Sequence, residues 1–122
     1  MRTLEQERAK FAYDKIMSVK GKDFEKDYAR YVKSAPALIL TNGLGNTLAF
    51  YKSKKSEAYS KLYKHIEEWL KKRGYCSEDQ NALEWIANTD SLLVFQATQE
   101  VLALLNWMTK FAKAELKESE ET

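Results

Sequence analysis

The chain has 122 residues, enough for one domain whose core needs neither disulfides nor a structural metal. A 44% hydrophobic and 12% aromatic content with four glycines and one proline excludes a disordered chain. The lone Cys76 excludes an internal disulfide, no signal-like apolar segment opens the chain, and a cytoplasmic location is expected. Net charge is only +2 but uneven: residues 52–73 carry eight basic and three acidic groups, and residues 74–122 three basic and nine acidic.

Thr3 followed by Gln6 forms a capping box, and Leu4, Phe11, Ala12, Ile16 and Val19 recur at helical spacing until Gly21, which predicts the first helix. Arg8 and Lys15 project within its apolar arc. Such cations either snorkel or pair with a buried carboxylate, or they form a cationic seam facing a ligand. Asp23 is expected to cap a second helix carrying Phe24, Tyr28, Tyr31 and Val32, which Ser34-Ala35-Pro36 should interrupt. Pro36 then suits the first turn of a third helix, with Ala37, Leu38, Ile39 and Leu40 in a crowded interior. Gly43 and Gly45 permit a bend or a close backbone approach before Thr47-Leu48-Ala49-Phe50-Tyr51 resumes the helix. The whole stretch 36–51 holds no charged residue, yet it is too short and too polar for a membrane span of ~20 apolar residues.

Ser56 can cap a helix whose stripe is Tyr59, Leu62, Tyr63, Ile66, Trp69 and Leu70, with Gly74 as its stop. On its outer face Glu68 is spaced to pair with Lys64 and Lys72. Lys52, Lys54 and Lys55, just upstream, have few acidic neighbours and are better candidates for an external anion. Ser77 with Gln80 reads as a second capping box before Leu83, Trp85 and Ile86. Asp90 should cap a long last helix through the centre, in which Val94, Val101, Leu105, Met108 and Ala112 form one stripe and Phe95 with Leu102 widens it toward a second neighbour. Nothing alternates with period two. The expected fold is all-α, a compact single-domain bundle of five or six helices over residues 1–122, with residues 117–122 a frayed acidic tail.

Groups for chemistry are sparse. Gly43 and Gly45 begin a Gly-x-Gly spacing, but Leu48 occupies the third glycine position and no strand precedes it. His65 is the only histidine and reads as a structural or surface residue. A Glu-x-x-His di-iron motif would need an acid where Leu62 stands. No catalytic residue, metal site or cofactor is expected, and the residues describe a helical domain that binds something large.

The segment PALILTNGLGNTLAFYKSK at 36–54 resembles the signature of the small subunit of Cmr-type (type III-B) CRISPR RNA-guided effector complexes. LEQERAKFAYDKI at the start and TQEVLALLNWMTKFAKAEL at 98–116 are similar to that family's opening and closing helices. The resemblance implies a non-enzymatic subunit acting in antiviral defence. It would stack beside the backbone subunits that hold the guide RNA, abut the large polymerase-like subunit and further copies of itself, and help line the channel where target RNA pairs with the guide. Arg8, Lys15, Lys52, Lys54 and Lys55 are then the candidates for RNA phosphates, and Asn42, Gly43 and Gly45 for a subunit contact. A free-standing helical RNA-binding module and a purely structural adaptor are the alternatives.

Overall fold

The computed structural model describes residues 1–118 and folds them into six helices: α1 (Leu4–Val19), α2 (Glu25–Asn42), α3 (Leu44–Ser53), α4 (Glu57–Lys72), α5 (Ala82–Ala87) and α6 (Ser91–Glu115). No strand occurs among the described residues, so the expected all-α bundle is what forms. The end of the expected tail, residues 119–122, lies outside the described residues.

The capping box of α1 forms as expected: Gln6 N–H donates to Thr3 Oγ1 at 3.1 Å, and Thr3 N–H donates to Gln6 Oε1 at 2.9 Å. Phe11, Ala12, Ile16 and Val19 are buried. The expected cap at Asp23 does not form. Phe24 takes the position before α2 and offers no side-chain bond, while the buried Glu25 carboxylate accepts from Gly21 N–H at 2.9 Å and Lys117 N–H at 2.7 Å. A carboxylate holding two distant backbone donors organises this turn better than an exposed Asp23 could, and it ties residue 117 to the start of α2.

Pro36 does not interrupt the second helix either. It lies inside α2, which runs unbroken to Asn42 and therefore merges two expected helices into one. Tyr28, Val32, Ala35 and Ile39 form one stripe at helical spacing, all buried. A proline inside a helix costs ~3 kcal/mol, whereas burying each large member of this stripe stabilises by roughly 1.5–3 kcal/mol. A break at Pro36 would turn Ile39 away from the core. The same register corrects the expected interior at 37–40: Ile39 is buried and Leu38 half-buried, but Ala37 is exposed and Leu40 keeps 74% of its surface in solvent.

The bend falls at Gly43, whose φ of +88° separates α2 from α3 with no other residue between them. α3 therefore starts at Leu44, ahead of the expected restart at Thr47. α4 buries the anticipated stripe, including Leu62, Ile66, Trp69 and Leu70, and ends at Lys72, two residues before Gly74 with its φ of +82°. The Ser77 capping box is absent. Asn81 caps the short α5 instead, accepting from Glu84 N–H at 2.8 Å, and the Glu67 carboxylate takes Ala82 N–H at 2.7 Å. Two side-chain acceptors for the amides of residues 82 and 84 place the helix start beyond the position that a cap at Ser77 implies.

Asp90 caps α6 as expected, through Leu92 N–H at 3.1 Å. α6 packs against α1, α2 and α4. It runs parallel to α1, with Arg8 meeting Glu100 and Lys20 meeting Glu115. Val101, Leu104, Leu105, Met108 and Ala112 form the buried spine. Only part of the second stripe is covered: Leu102 is half-buried, while Phe95 stays 59% exposed beside exposed Leu92 and Leu93.

Candidate nucleic-acid interface

The five candidate cations separate into two groups. Arg8 faces α6, where its Nε and Nη2 donate to the two oxygens of Glu100 at 2.7 and 2.8 Å, and its Nη1 to Glu5 at 3.2 Å. Trp69 Nε1–H donates to the same Glu100 at 3.1 Å. Burial pushes the Glu100 carboxyl up, but the bonds and charge of Arg8, with Trp69, outweigh it and hold the pKa below its ordinary value. Lys15 lies 2.6 Å from Glu68 and 5.2 Å above the centre of the Phe11 ring. Glu68 thus pairs across to α1 and not with Lys64 or Lys72 along its own helix. Both cations of the apolar arc meet carboxylates of this chain, Arg8 the buried Glu100 and Lys15 the exposed Glu68.

Lys52, Lys54 and Lys55 are placed differently. They sit at the end of α3 and in the turn before α4, exposed and without an ion pair among the described residues. Lys52 Nζ stands 5.4 Å from the centre of the Tyr63 ring and Lys54 Nζ 5.0 Å from that of Phe50. The neighbouring rings pack together: Tyr31 stacks on Tyr59 at 3.7 Å, and Tyr51 and Phe50 lie 5.4 and 5.5 Å from Tyr59.

Between α3 and α4 these residues enclose a recess of about 260 Å³. Tyr51, Lys52 and Lys54 form one wall, and Ser60, Tyr63 and Lys64 the other. In sequence Lys64 is a weaker candidate than Lys52, Lys54 and Lys55, because its apparent partner Glu68 stands one turn away. The pairing of Glu68 with Lys15 releases it. The signal that could have found it is the spacing of Ser60, Tyr63, Lys64 and Glu67 on one face of α4. Glu67, at the floor with Asn81, accepts on Oε2 from Tyr63 O–H at 2.9 Å and from Ala82 N–H. Burial, then the bond to Glu67, pushes the Tyr63 hydroxyl far up.

The candidate subunit-contact residues cluster at the α2–α3 corner. Asn42 is exposed, and with Leu38, Asn46, Thr47 and Phe50 it lines a second recess of about 250 Å³. Gly43 is required by its positive φ and has open space where a Cβ would stand. Gly45 serves a close approach inside the chain, since a Cβ there would lie 3.2 Å from Ile86 Cγ2 of α5.

The single histidine is structural. His65 is buried on α4, its Nδ1 2.6 Å from the hydroxyl of Tyr28, and burial with the nearby Lys15 charge pushes its pKa down to about 4. Cys76 is buried and its thiol is pushed up by that burial. Among the described residues, no three His, Cys, Asp or Glu side chains group as metal ligands, and no helix is long and apolar enough to cross a membrane.

Fold and surface together define a small all-helical domain whose distinctive surface feature is a lysine-walled recess over packed tyrosines. The model of the family described as CRISPR-associated protein (Cas_Cmr5) matches residues 4–115, and the chain belongs to that family. It is similar to the CRISPR system Cmr subunit Cmr5 of Thermus thermophilus, at 32% identity over 97% of this chain and all of the relative. Its fold matches the crystal structure of a CRISPR-associated Cmr5 family protein, also from Thermus thermophilus, with a TM-score of 0.82 and 28% identity over 96% of this chain and all of the other.

Proposed function

We propose that this chain is the small subunit of a type III-B Cmr CRISPR effector complex in antiviral defence, that it stacks beside the backbone subunits, and that it helps line the channel for guide and target RNA. Family membership supports the place in a Cmr complex. The observation that carries the RNA contact is the set of exposed Lys52, Lys54 and Lys55 at one corner of the bundle, without an ion pair among the described residues. Their contacts are to backbone phosphates and sequence-independent, since pairing with the guide already reads the target. Arg8 and Lys15 remain with their carboxylates. Asn42, with Gly43 and Gly45 behind it, meets a neighbouring subunit. The chain contributes surface and no catalytic group.

Tagged protein recovered from cells carrying its native neighbours should bring down guide RNA and the backbone subunits; recovery alone or with unrelated RNA overturns the reading. In the recovered complex, Lys52→Glu, Lys54→Glu and Lys55→Glu together should leave assembly intact and weaken target RNA binding, with a shallower salt dependence. A purely structural adaptor is the second reading, favoured by exposed Leu92, Leu93 and Phe95 at the start of α6. It predicts that the same charge reversal either changes nothing or prevents assembly.

A further inference from the structure

The outer face of α6 carries almost no charge. Between Ser91 and Thr109 the sole charged residue is Glu100, which is buried and held by Arg8. The outer face of α4 follows the ordinary rule, with Lys61, Lys64, Glu68 and Lys72 in solvent. On α6, Leu92, Phe95, Gln99, Leu102 and Asn106 follow intervals of three, four, three and four, so they form one seam along the helix. Leu92 keeps 64% and Phe95 59% of its surface in solvent, Gln99 and Asn106 are exposed, and Leu102 is half-buried. Beside the seam, Ala37 and Leu40 of α2 are exposed on the side of that helix from which Lys33 reaches Glu118, past the end of α6. A helix face left in water gains nothing by giving up its charges, whereas the centre of a protein interface is depleted of them. An apolar seam at this spacing is what one helix presents to another.

We infer that this seam pairs with the same seam of a second copy of the chain, the two α6 helices lying antiparallel about a two-fold axis at Gln99. The charges at its ends select both the partner and the direction. The start is acidic, at Asp90 and the exposed Glu84 just before α6, and the end is basic, at the exposed Lys110 and Lys113. An antiparallel copy lays Lys110 toward the acidic start of its partner at both ends at once, while a parallel copy lays like charge beside like. The same axis sets Phe95 of each copy against Leu102 and Ala103 of the other, and Leu92 against Asn106. Gln99 meets Gln99, where the two carboxamides can exchange hydrogen bonds and fix the register. The pair is isologous, so it closes at two copies. It uses none of Lys52, Lys54 and Lys55 and goes beyond the RNA contact. A seam about 21 Å long and ~10 Å wide is smaller than the ~800 Å² per partner of a stable interface, so the pairing is weak and depends on concentration.

Sedimentation equilibrium of the full chain, from micromolar to millimolar concentration, is the test. The wild type should pass reversibly from one copy to two. Phe95→Glu, at a position open to water, should unfold at the wild-type midpoint yet weaken the pairing at least roughly tenfold, because it places an unpaired charge in the seam. Leu92→Glu is the second variant if Phe95→Glu does not fold. On mild oxidation Gln99→Cys should give a covalent dimer and Leu92→Cys should not, since antiparallel pairing sets residue 92 beside Asn106; the native Cys76 is buried. A chain that stays single at every concentration overturns the inference, as does a dimer that both glutamate variants leave intact. Crosslinking of Leu92→Cys in place of Gln99→Cys overturns the antiparallel arrangement. If the free wild type stays single while Phe95→Glu costs the recovered complex one of its other subunits, the face belongs to a helix of that subunit and the second copy is ruled out.

Discussion

Arg8 and Glu100, 92 positions apart, face each other across α1 and α6 through two parallel hydrogen bonds of 2.7 and 2.8 Å. The guanidinium and carboxylate planes lock the two helices in one register, and Trp69 closes the arrangement from α4. Arg8→Ala would leave the Glu100 carboxylate, only 7% exposed, buried and unpaired. The expected loss is about 3 kcal/mol in urea unfolding. The double variant Arg8→Met, Glu100→Gln keeps an acceptor for the Trp69 indole and should recover most of it. If Arg8→Ala unfolds at the wild-type midpoint, the pair does not hold the bundle.

His65 predicts a pH dependence. Its folded pKa is about 4 against ~6.5 in an unfolded chain. The unfolded state therefore binds more protons between these values, so stability is full above pH ~6.5 and falls toward pH 4. The expected loss at pH 4 is about 3 kcal/mol from this residue. Denaturant midpoints measured from pH 7.5 to 4.5 should fall for the wild type and stay flatter for His65→Gln; parallel curves would remove His65 as the cause. Glu25 and Glu100 are both held below the ordinary carboxylate value despite their burial, Glu25 by the Lys117 and Gly21 amides and Glu100 by Arg8. Their contribution is present above an unfolded pKa of ~4.3 and is lost at lower pH, beneath the His65 window.

The two corner glycines should respond differently. Gly43→Ala forces an L residue into φ +88°, which costs ~1–2 kcal/mol although the space is open. Gly45→Ala gains up to ~1 kcal/mol of helix propensity but presses Ile86, 3.2 Å away on the short α5. The two effects nearly cancel, so the unfolding midpoint should stay near the wild type. Gly45→Leu, which α5 cannot yield to, should lose at least ~2 kcal/mol by overpacking. Equal midpoints for Gly43→Ala and wild type would show that the corner relaxes out of the left-handed region.

Removing an oxygen should stabilise the free protein. Tyr51→Phe deletes a buried hydroxyl that has no partner among the described residues, so it should be more stable than the wild type by about 1 kcal/mol in urea unfolding. A Tyr51→Phe variant less stable than the wild type would mean that the hydroxyl has a partner in solution.

What the sequence determined by itself is what depends on residues three or four positions apart. The capping box at Thr3, the caps at Ser56 and Asp90, the stop at Gly74 and the apolar stripes of α1, α4 and α6 are all local, and they sufficed for an all-α bundle. The signature at 36–54 was equally legible because it is a contiguous string. Tertiary structure decided whatever depends on distant partners. Pro36 stays within a helix because Val32 and Ile39 must reach the same core, and Asp23 and Ser77 lose their caps to the Glu25 and Glu67 carboxylates, the first with a donor at the far end of the chain. The sorting of the cations followed the same rule. Arg8 and Lys15 find carboxylates on α6 and α4, while Lys52, Lys54 and Lys64 line one recess because α3 packs on α4. Helical periodicity says which way a side chain points, and only the packing of helices says what it meets there.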